Sequence, residues 1–208
     1  MRAFILSMCV AVLAWPAAAE IDVPIVYLRQ EVEAPPTLSN LDPMPEDLGI
    51  AGAHVGVSEN LTTGSFMGHA YSLEVISVPP GGDLVAAADE ALSQSLFIVV
   101  DAPKAALLQI ADLAAPPGAL LFNVAAPEPS LRDADCRANL FHTLPSNAMR
   151  TDALAQLLLK KRWQDLVLIS GTFPADVAYA AALRSSLTKF RLELGAEKVW
   201  AFDADMRR

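Results

Sequence analysis

Five consecutive apolar residues, Leu96-Phe97-Ile98-Val99-Val100, stand between two segments whose apolar residues recur with helical spacing. A strand with no polar residue at alternate positions suits burial on both faces, the environment of a central strand in a parallel sheet. The flanks agree. Pro79-Pro80-Gly81-Gly82 is a break, and Asp83 is placed to cap a helix running through Leu92. After Asp101-Ala102-Pro103 turns the chain, Lys104 to Ala114 reads as an amphipathic helix, Pro116-Pro117-Gly118 ends it, and Ala119 to Phe122 forms the next strand. Strands alternating with helices of this length specify βαβ units, hence an α/β fold built on a parallel sheet.

The rest of the chain extends the pattern. Pro24 to Leu28 is a short apolar run suited to a buried first strand. A long, proline-rich connection follows from Arg29 to Pro45, then a helix from Glu46 to Leu61. Asn60 to Gly68, with Thr62-Thr63-Gly64, reads as a turn region, and Tyr71 to Val78 as a strand. Asn139 to Thr143 is a further strand, and Leu144-Pro145-Ser146 reads as a crossing point. Ser146 is placed to cap a helix from Met149 to Lys161. The final unit reads strand, helix, strand over Leu166–Ile169, Asp176–Leu194 and Val199–Phe202.

The first nineteen residues are set apart by composition. Met1-Arg2, an apolar run from Ala3 to Trp15 and the exit Ala17-Ala18-Ala19 describe a secretory signal peptide, with cleavage expected before Glu20. Cys9 lies inside the apolar run, too early to be a lipidated first residue. No later stretch is long enough to span a bilayer, so stable membrane insertion is not expected. Arg2 is the one charge in the leader; without it the net charge is one unit more negative than −9. So acidic a chain repels nucleic acid and anionic lipid, which excludes nucleic-acid partners. Lys160-Lys161-Arg162 is a solvated helix end favoured by the helix dipole. Cys136 is then the single cysteine: either a buried free thiol, or a residue whose partner lies in sequence this chain lacks.

No catalytic motif is present. There is no GxGxxG, no phosphate-binding loop and no GxSxG elbow, and Gly64-Ser65-Phe66-Met67-Gly68 has the wrong spacing for the last. His54, His69 and His142 are isolated, and Cys136 with His142 does not match a zinc spacing. The expectation is a non-enzyme without cofactor or bound metal. Positional logic remains, because in open parallel sheets ligands sit beyond the carboxyl ends of the strands. Here those ends are Arg29, Gln30 and Glu31, then Asp101 and Ala102, then Asn123 to Ala126, and finally Ser170 to Phe173. The candidate ligand-binding residues taken from this rim are Asp101, Ala102, Asn123, Ala125, Ala126 and Thr172.

Several segments carry a family resemblance. They are Gly49-Ile50-Ala51-Gly52-Ala53 leading to Asn60-Leu61-Thr62-Thr63-Gly64 and Gly68, and Leu120-Leu121-Phe122-Asn123-Val124-Ala125-Ala126-Pro127. With the export signal, they resemble type I periplasmic binding proteins of the branched-chain amino acid class, the solute-binding components of ABC importers. Leu38-Ser39-Asn40-Leu41-Asp42-Pro43, Asp135-Cys136-Arg137-Ala138-Asn139-Leu140 and Lys161-Arg162-Trp163 are similar to the substrate-binding proteins of the PQQ-dependent alcohol dehydrogenase system. The resemblance implies two Rossmann-like lobes that close over a small-molecule solute and then dock on an ABC permease. It implies residues 20–143 as a first lobe, 144–146 as the hinge crossing and 147–208 as the start of a second. Family members are considerably longer, so both lobes are expected to be incomplete here and the chain truncated.

The sequence departs from the amino-acid-binding pattern. Where that class places serine and threonine hydroxyls for the α-carboxylate and α-amino groups, this chain has Asp101-Ala102 and Ala126-Pro127. The tyrosine found early in the second lobe of that class falls near Ala175. Asp101 repels a carboxylate unless a cation intervenes, so a neutral, cationic, alcohol-derived or metal-bound solute is as plausible as a leucine-like one. Four functional readings follow: a periplasmic solute-binding component of an ABC transporter linked to PQQ-dependent alcohol oxidation; a non-transport accessory or sensor lobe partnering a periplasmic quinoprotein dehydrogenase system; a hydrolytic or redox enzyme on an α/β scaffold, ranked last for want of a nucleophile–base pair or cofactor motif; and a non-functional fragment.

Overall fold

A computed structural model describes residues 20–33, 45–113 and 116–200. The expected leader, most of the proline-rich connection and Phe202 of the last expected strand lie outside the described residues. Five strands form one parallel sheet: β1 (Ile21–Gln30), β2 (His69–Val78), β3 (Phe97–Asp101), β4 (Leu120–Asn123) and β5 (Leu140–His142). Their spatial order is β2-β1-β3-β4-β5. The intervening helices are α1 (Ile50–Met67), α2 (Leu84–Gln94) and α3 (Lys104–Ala111), and a short 3₁₀ turn, Pro129–Arg132, precedes β5. A second unit follows, made of α4 (Asn147–Lys161), β6 (Leu166–Ser170), α5 (Pro174–Lys189) and β7 (Leu194–Val199), with β6 and β7 paired in parallel.

The pattern that defines β3 also builds the core. Ile98 and Val100 point to one face beside Val26 and Leu28 of β1 and Leu121 of β4, all essentially inaccessible to solvent. Leu84, Ala88, Ala91 and Leu92 of α2 and Leu107 and Ile110 of α3 close over them. Full burial of each Leu, Ile or Val side chain stabilises by about 1.5–3 kcal/mol. Asp83 caps α2 by accepting from the Ala86 N–H at 3.0 Å, and Ser146 caps α4 through the Met149 N–H at 3.3 Å, both as expected from sequence.

Helix α1 lies on the opposite face, over Ile25, Tyr71 and Leu73, because the chain reverses its direction of travel between β2 and β3. That face carries the stacked rings of Phe122 and Phe141, 5.8 Å between centroids, with Phe141 48% exposed. The second unit has its own core, in which Ala155 of α4 meets Leu183 and Leu187 of α5 and Leu192 beyond it. Thr151 and Ser186 share a buried hydroxyl contact of 2.8 Å, and Ser186 and Lys189 both donate to Asp152, whose carboxyl is held below its ordinary range by those two bonds. The outward side of β6 is open: Val167 is 61% and Ile169 64% exposed.

Three expectations fail. The segment Asn60 to Gly68 is not a turn; α1 continues to Met67 and ends at Gly68 in the left-handed conformation. The polar residues that suggest a turn satisfy the helix instead, since Asn60 Nδ2 donates to Gly56 O at 2.7 Å and Ser65 Oγ donates to Leu61 O at 2.6 Å. Gly64 serves close packing, because a Cβ there would lie 2.6 Å from the Tyr71 ring and 2.9 Å from His69 O. The last helix also ends earlier than Leu194. It stops at Lys189, Arg191 takes φ 56°, and the Leu192 N–H returns to Leu187 O at 2.9 Å. This closure brings Leu192 onto Leu187 and starts β7 at Leu194, five residues before the expected Val199. Cys136 is a free cysteine and exposed, not buried.

Glycine substitutions separate packing from propensity along α1. Gly64→Ala should lower stability by about 1–3 kcal/mol through overpacking against Tyr71. Gly56→Ala, where an added Cβ meets nothing within 4 Å, should raise it by about 0.5–1 kcal/mol. Urea denaturation of both variants beside the parent chain measures the difference.

Candidate functional site

The strand order places a change of winding between β1 and β3, and the connections that leave the carboxyl ends of those two strands diverge there. The gap is a crevice of about 500 Å³ lined by Arg29, Gln30, Glu31, Glu46, Leu48 and Asp101, among others. Asp101 ends β3 opposite Arg29 of β1. Tyr27, one pleat below on β1, donates its phenolic proton to Asp101 Oδ2 at 2.9 Å. Burial, the bond to Asp101 and the Asp101 charge all push the Tyr27 phenol above its ordinary pKa, while Arg29 opposes them, so Tyr27 remains a donor.

The mouth of the crevice is shaped by two further contacts. Arg29 Nη1 donates to Glu46 O at 3.0 Å, and Gln30 Nε2 donates to Pro79 O at 3.0 Å. Gly49 precedes α1 with φ 85°, and a Cβ there would sit 2.5 Å from the Tyr27 hydroxyl and 3.7 Å from Asp101 Oδ2. Only glycine combines that φ with that approach. The first turn of α1 can therefore reach the Tyr27–Asp101 pair.

The other sequence-predicted residues fall in two places. Ala102 and Ala126 have their side chains in the core, leaving main-chain groups for any contact. Asn123 is fully buried at the end of β4, and its side chain binds the loop that carries Ala125 and Ala126. The Val124 N–H donates to Val100 O at 3.2 Å, which sets this loop beside the β3 end that carries Asp101. Thr172 is exposed and lines a separate pocket of about 230 Å³ with Ser170, Gly171, Phe173, Asp176 and Trp200.

Sequence reasoning missed Tyr27, Gly49 and His142. Tyr27 interrupts an otherwise apolar run with a polar tip, the one signal available in sequence. His142 bridges Asn123 and the 3₁₀ turn. Nearby, Arg132 Nη2 donates to Leu144 O at 2.5 Å, while Arg132 Nη1 and Glu128 Oε2 are buried without a hydrogen-bond partner. Among the described residues no group of three or more His, Cys, Asp or Glu side chains is arranged to hold a metal ion, and no helix is long and apolar enough to cross a membrane.

No family model matches the chain, and no curated protein matches it in sequence. Solved structures do. An ABC transporter substrate-binding protein from Desulfitobacterium hafniense superimposes with a TM-score of 0.64 at 15% identity, over 89% of this chain and 51% of that one. A putative branched-chain amino acid ABC transporter protein from Rhodospirillum rubrum gives 0.62 at 9% identity, over 88% and 51%. A solute-binding protein of an ABC transporter from Rhodopseudomonas palustris BisB5, in complex with 3,4-dihydroxybenzoic acid, gives 0.53 at 13%, over 86% and 47%. At these identities the likeness defines the fold, an α/β lobe with the parallel sheet of type I periplasmic binding proteins. The chain spans about half the length of the solved structures it matches.

Tyr27→Phe tests the pair at the crevice. It leaves the part-buried Asp101 carboxylate without its donor and should lower stability by about 1–3 kcal/mol at neutral pH, read by thermal denaturation. An unchanged melting temperature would mean that water replaces the phenol without cost.

Proposed function

We propose that this chain is the solute-binding component of an ABC importer, exported to the periplasm, where it captures a small molecule and presents it to a permease. One observation carries the reading: a crevice lined by Arg29, Glu31, Glu46 and Asp101 lies at the β1/β3 switch point, and one of its carboxylates, Asp101, is held in place by Tyr27. The likeness to ABC transporter substrate-binding proteins supports it. In this reading residues 1–19 are the export signal, 20–143 and 147–208 belong to two lobes, and 144–146 is the hinge crossing between them.

Asp101 accepts a hydrogen bond from the Tyr27 hydroxyl, and its carboxylate offers a ligand a further acceptor in the crevice. The solute accordingly carries a cation or a hydrogen-bond donor toward Asp101, with main-chain groups of Ala102, the main-chain carbonyls of Ala125 and Ala126 and the Thr172 hydroxyl as further contacts. A bare carboxylate facing Asp101 is disfavoured, so the acid bound by the Rhodopseudomonas palustris protein is not the expected ligand here. The link to PQQ-dependent alcohol oxidation, with a quinoprotein dehydrogenase system as functional neighbour, rests on the sequence likeness around Leu38–Pro43, Asp135–Leu140 and Lys161–Trp163.

A thermal-shift screen of the chain against alcohols, amines, amino acids, carboxylic acids and calcium or lanthanide salts tests this. A cognate solute at a hundred times its Kd should stabilise by about 2.7 kcal/mol. Asp101→Asn keeps an acceptor for Tyr27 and removes the charge, and should weaken a cationic solute by about tenfold or more. If no solute raises the melting temperature, the solute-binding reading fails.

A further inference from the structure

Asn123 Oδ1 accepts the backbone N–H of Ala125 at 3.1 Å and that of Ala126 at 2.8 Å. Two donors on one oxygen fix which way the amide faces. The amide NH₂ must point the other way, where it donates to Ala126 O at 2.8 Å and to His142 Nδ1 at 3.0 Å. His142 Nδ1 is therefore an acceptor, and the ring proton sits on Nε2, facing Leu131 O at 3.2 Å. The hydrogen bonds leave one consistent state of the ring: neutral, with its proton on Nε2.

We propose that His142 is a positioning residue for the solute site: its neutral ring locks the Asn123 amide and thereby the loop Val124–Ala126, and protonation of the ring releases that loop, weakening solute capture in mild acid. The second half rests on the solute-binding reading; the lock itself does not. An imidazolium turns Nδ1–H against the Asn123 NH₂, donor against donor. Turning the amide over to repair this contact aims its NH₂ at the Ala125 and Ala126 N–H groups instead. Either way the loop loses hydrogen bonds in a buried setting where a missing partner is costly.

The surroundings add to this. The charged group facing the ring is Arg132, from the 3₁₀ turn, while β4 contributes the neutral Asn123. Burial first, then the Arg132 charge, hold His142 below its ordinary value of 6.5, and the Leu131 carbonyl opposes them. A folded-state pKa depressed in this way gives a contribution fully present above 6.5 and lost as pH falls through the depressed value. The release also reaches the crossing between the two units. Pro127 O accepts from the Asn147 N–H at 2.8 Å, and Thr143 Oγ1 donates to Asn123 O at 3.2 Å.

The test is an NMR titration of the ¹⁵N-labelled full chain from about pH 8 to about pH 5, across the range where histidine changes charge. Long-range imidazole spectra should show the Nε2–H tautomer at high pH. The ring should titrate below its ordinary value, and the Ala125 and Ala126 amides should shift with the same midpoint. In His142→Asn the side-chain oxygen takes the place of Nδ1 as acceptor, and those amides should hold their high-pH positions throughout. A solute found by the screen should lose affinity by up to about tenfold per pH unit in the parent chain and not in the variant. An Nδ1–H tautomer, or Ala125 and Ala126 amides indifferent to the ring titration, overturns the lock, and the parent spectra decide this even if the variant does not fold. Amides that follow the ring in a chain that binds none of the solutes support the lock and count against the solute-binding reading.

Discussion

Strand β1 is hydrogen-bonded along both edges, to β2 from Ile21 to Gln30 and to β3 from Ile25 to Arg29. The chain must therefore leave β1 toward one side of the sheet and come back toward the other. Helices on opposite faces follow from that requirement, because parallel crossovers are right-handed. The β1/β3 crevice follows as well, since the connections after these two strands diverge. Arg29 and Asp101 line it because they are the first polar residues after the two buried runs. The residues at the candidate site are thus placed by the same ladder that builds the core.

Much of this was legible from local pattern. The strand read from Leu96–Val100 and the caps Asp83 and Ser146 are legible from a few residues each, because propensity, capping and burial favour one outcome there; the structure starts β3 at Phe97, leaves Leu96 42% exposed and fully buries the Ile98 and Val100 face alone. The failures share a cause. Asn60 and Ser65 look like turn formers until their i−4 hydrogen bonds are seen, and Gly64 looks like a breaker until Tyr71 stands against it. The start of β7 depends on Leu192 folding back on Leu187, a contact that periodicity does not register.

The candidate site divides in the same way. Asp101 was legible because a general rule places ligands beyond strand ends. Its partner Tyr27 is seventy-four residues away in sequence, and nothing local pairs them. Asn123 was selected as a rim residue, and the structure shows its side chain spent on the loop beside it. His142 read as isolated because its two partners, Asn123 and Leu131, come from different elements. Long-range hydrogen bonds organise both halves of the rim, and a single sequence carries no record of them.

The most direct test of a solute site at the β1/β3 switch point is the location of binding. Backbone amide shifts of the labelled chain, recorded while a stabilising solute is added, should move at Arg29 to Glu31, at Asp101 and Ala102 and at Ala125 and Ala126. Perturbations confined instead to the residues where α1 lies over Ile25, Tyr71 and Leu73, or scattered over the open face of β6, would contradict a solute site at that switch point.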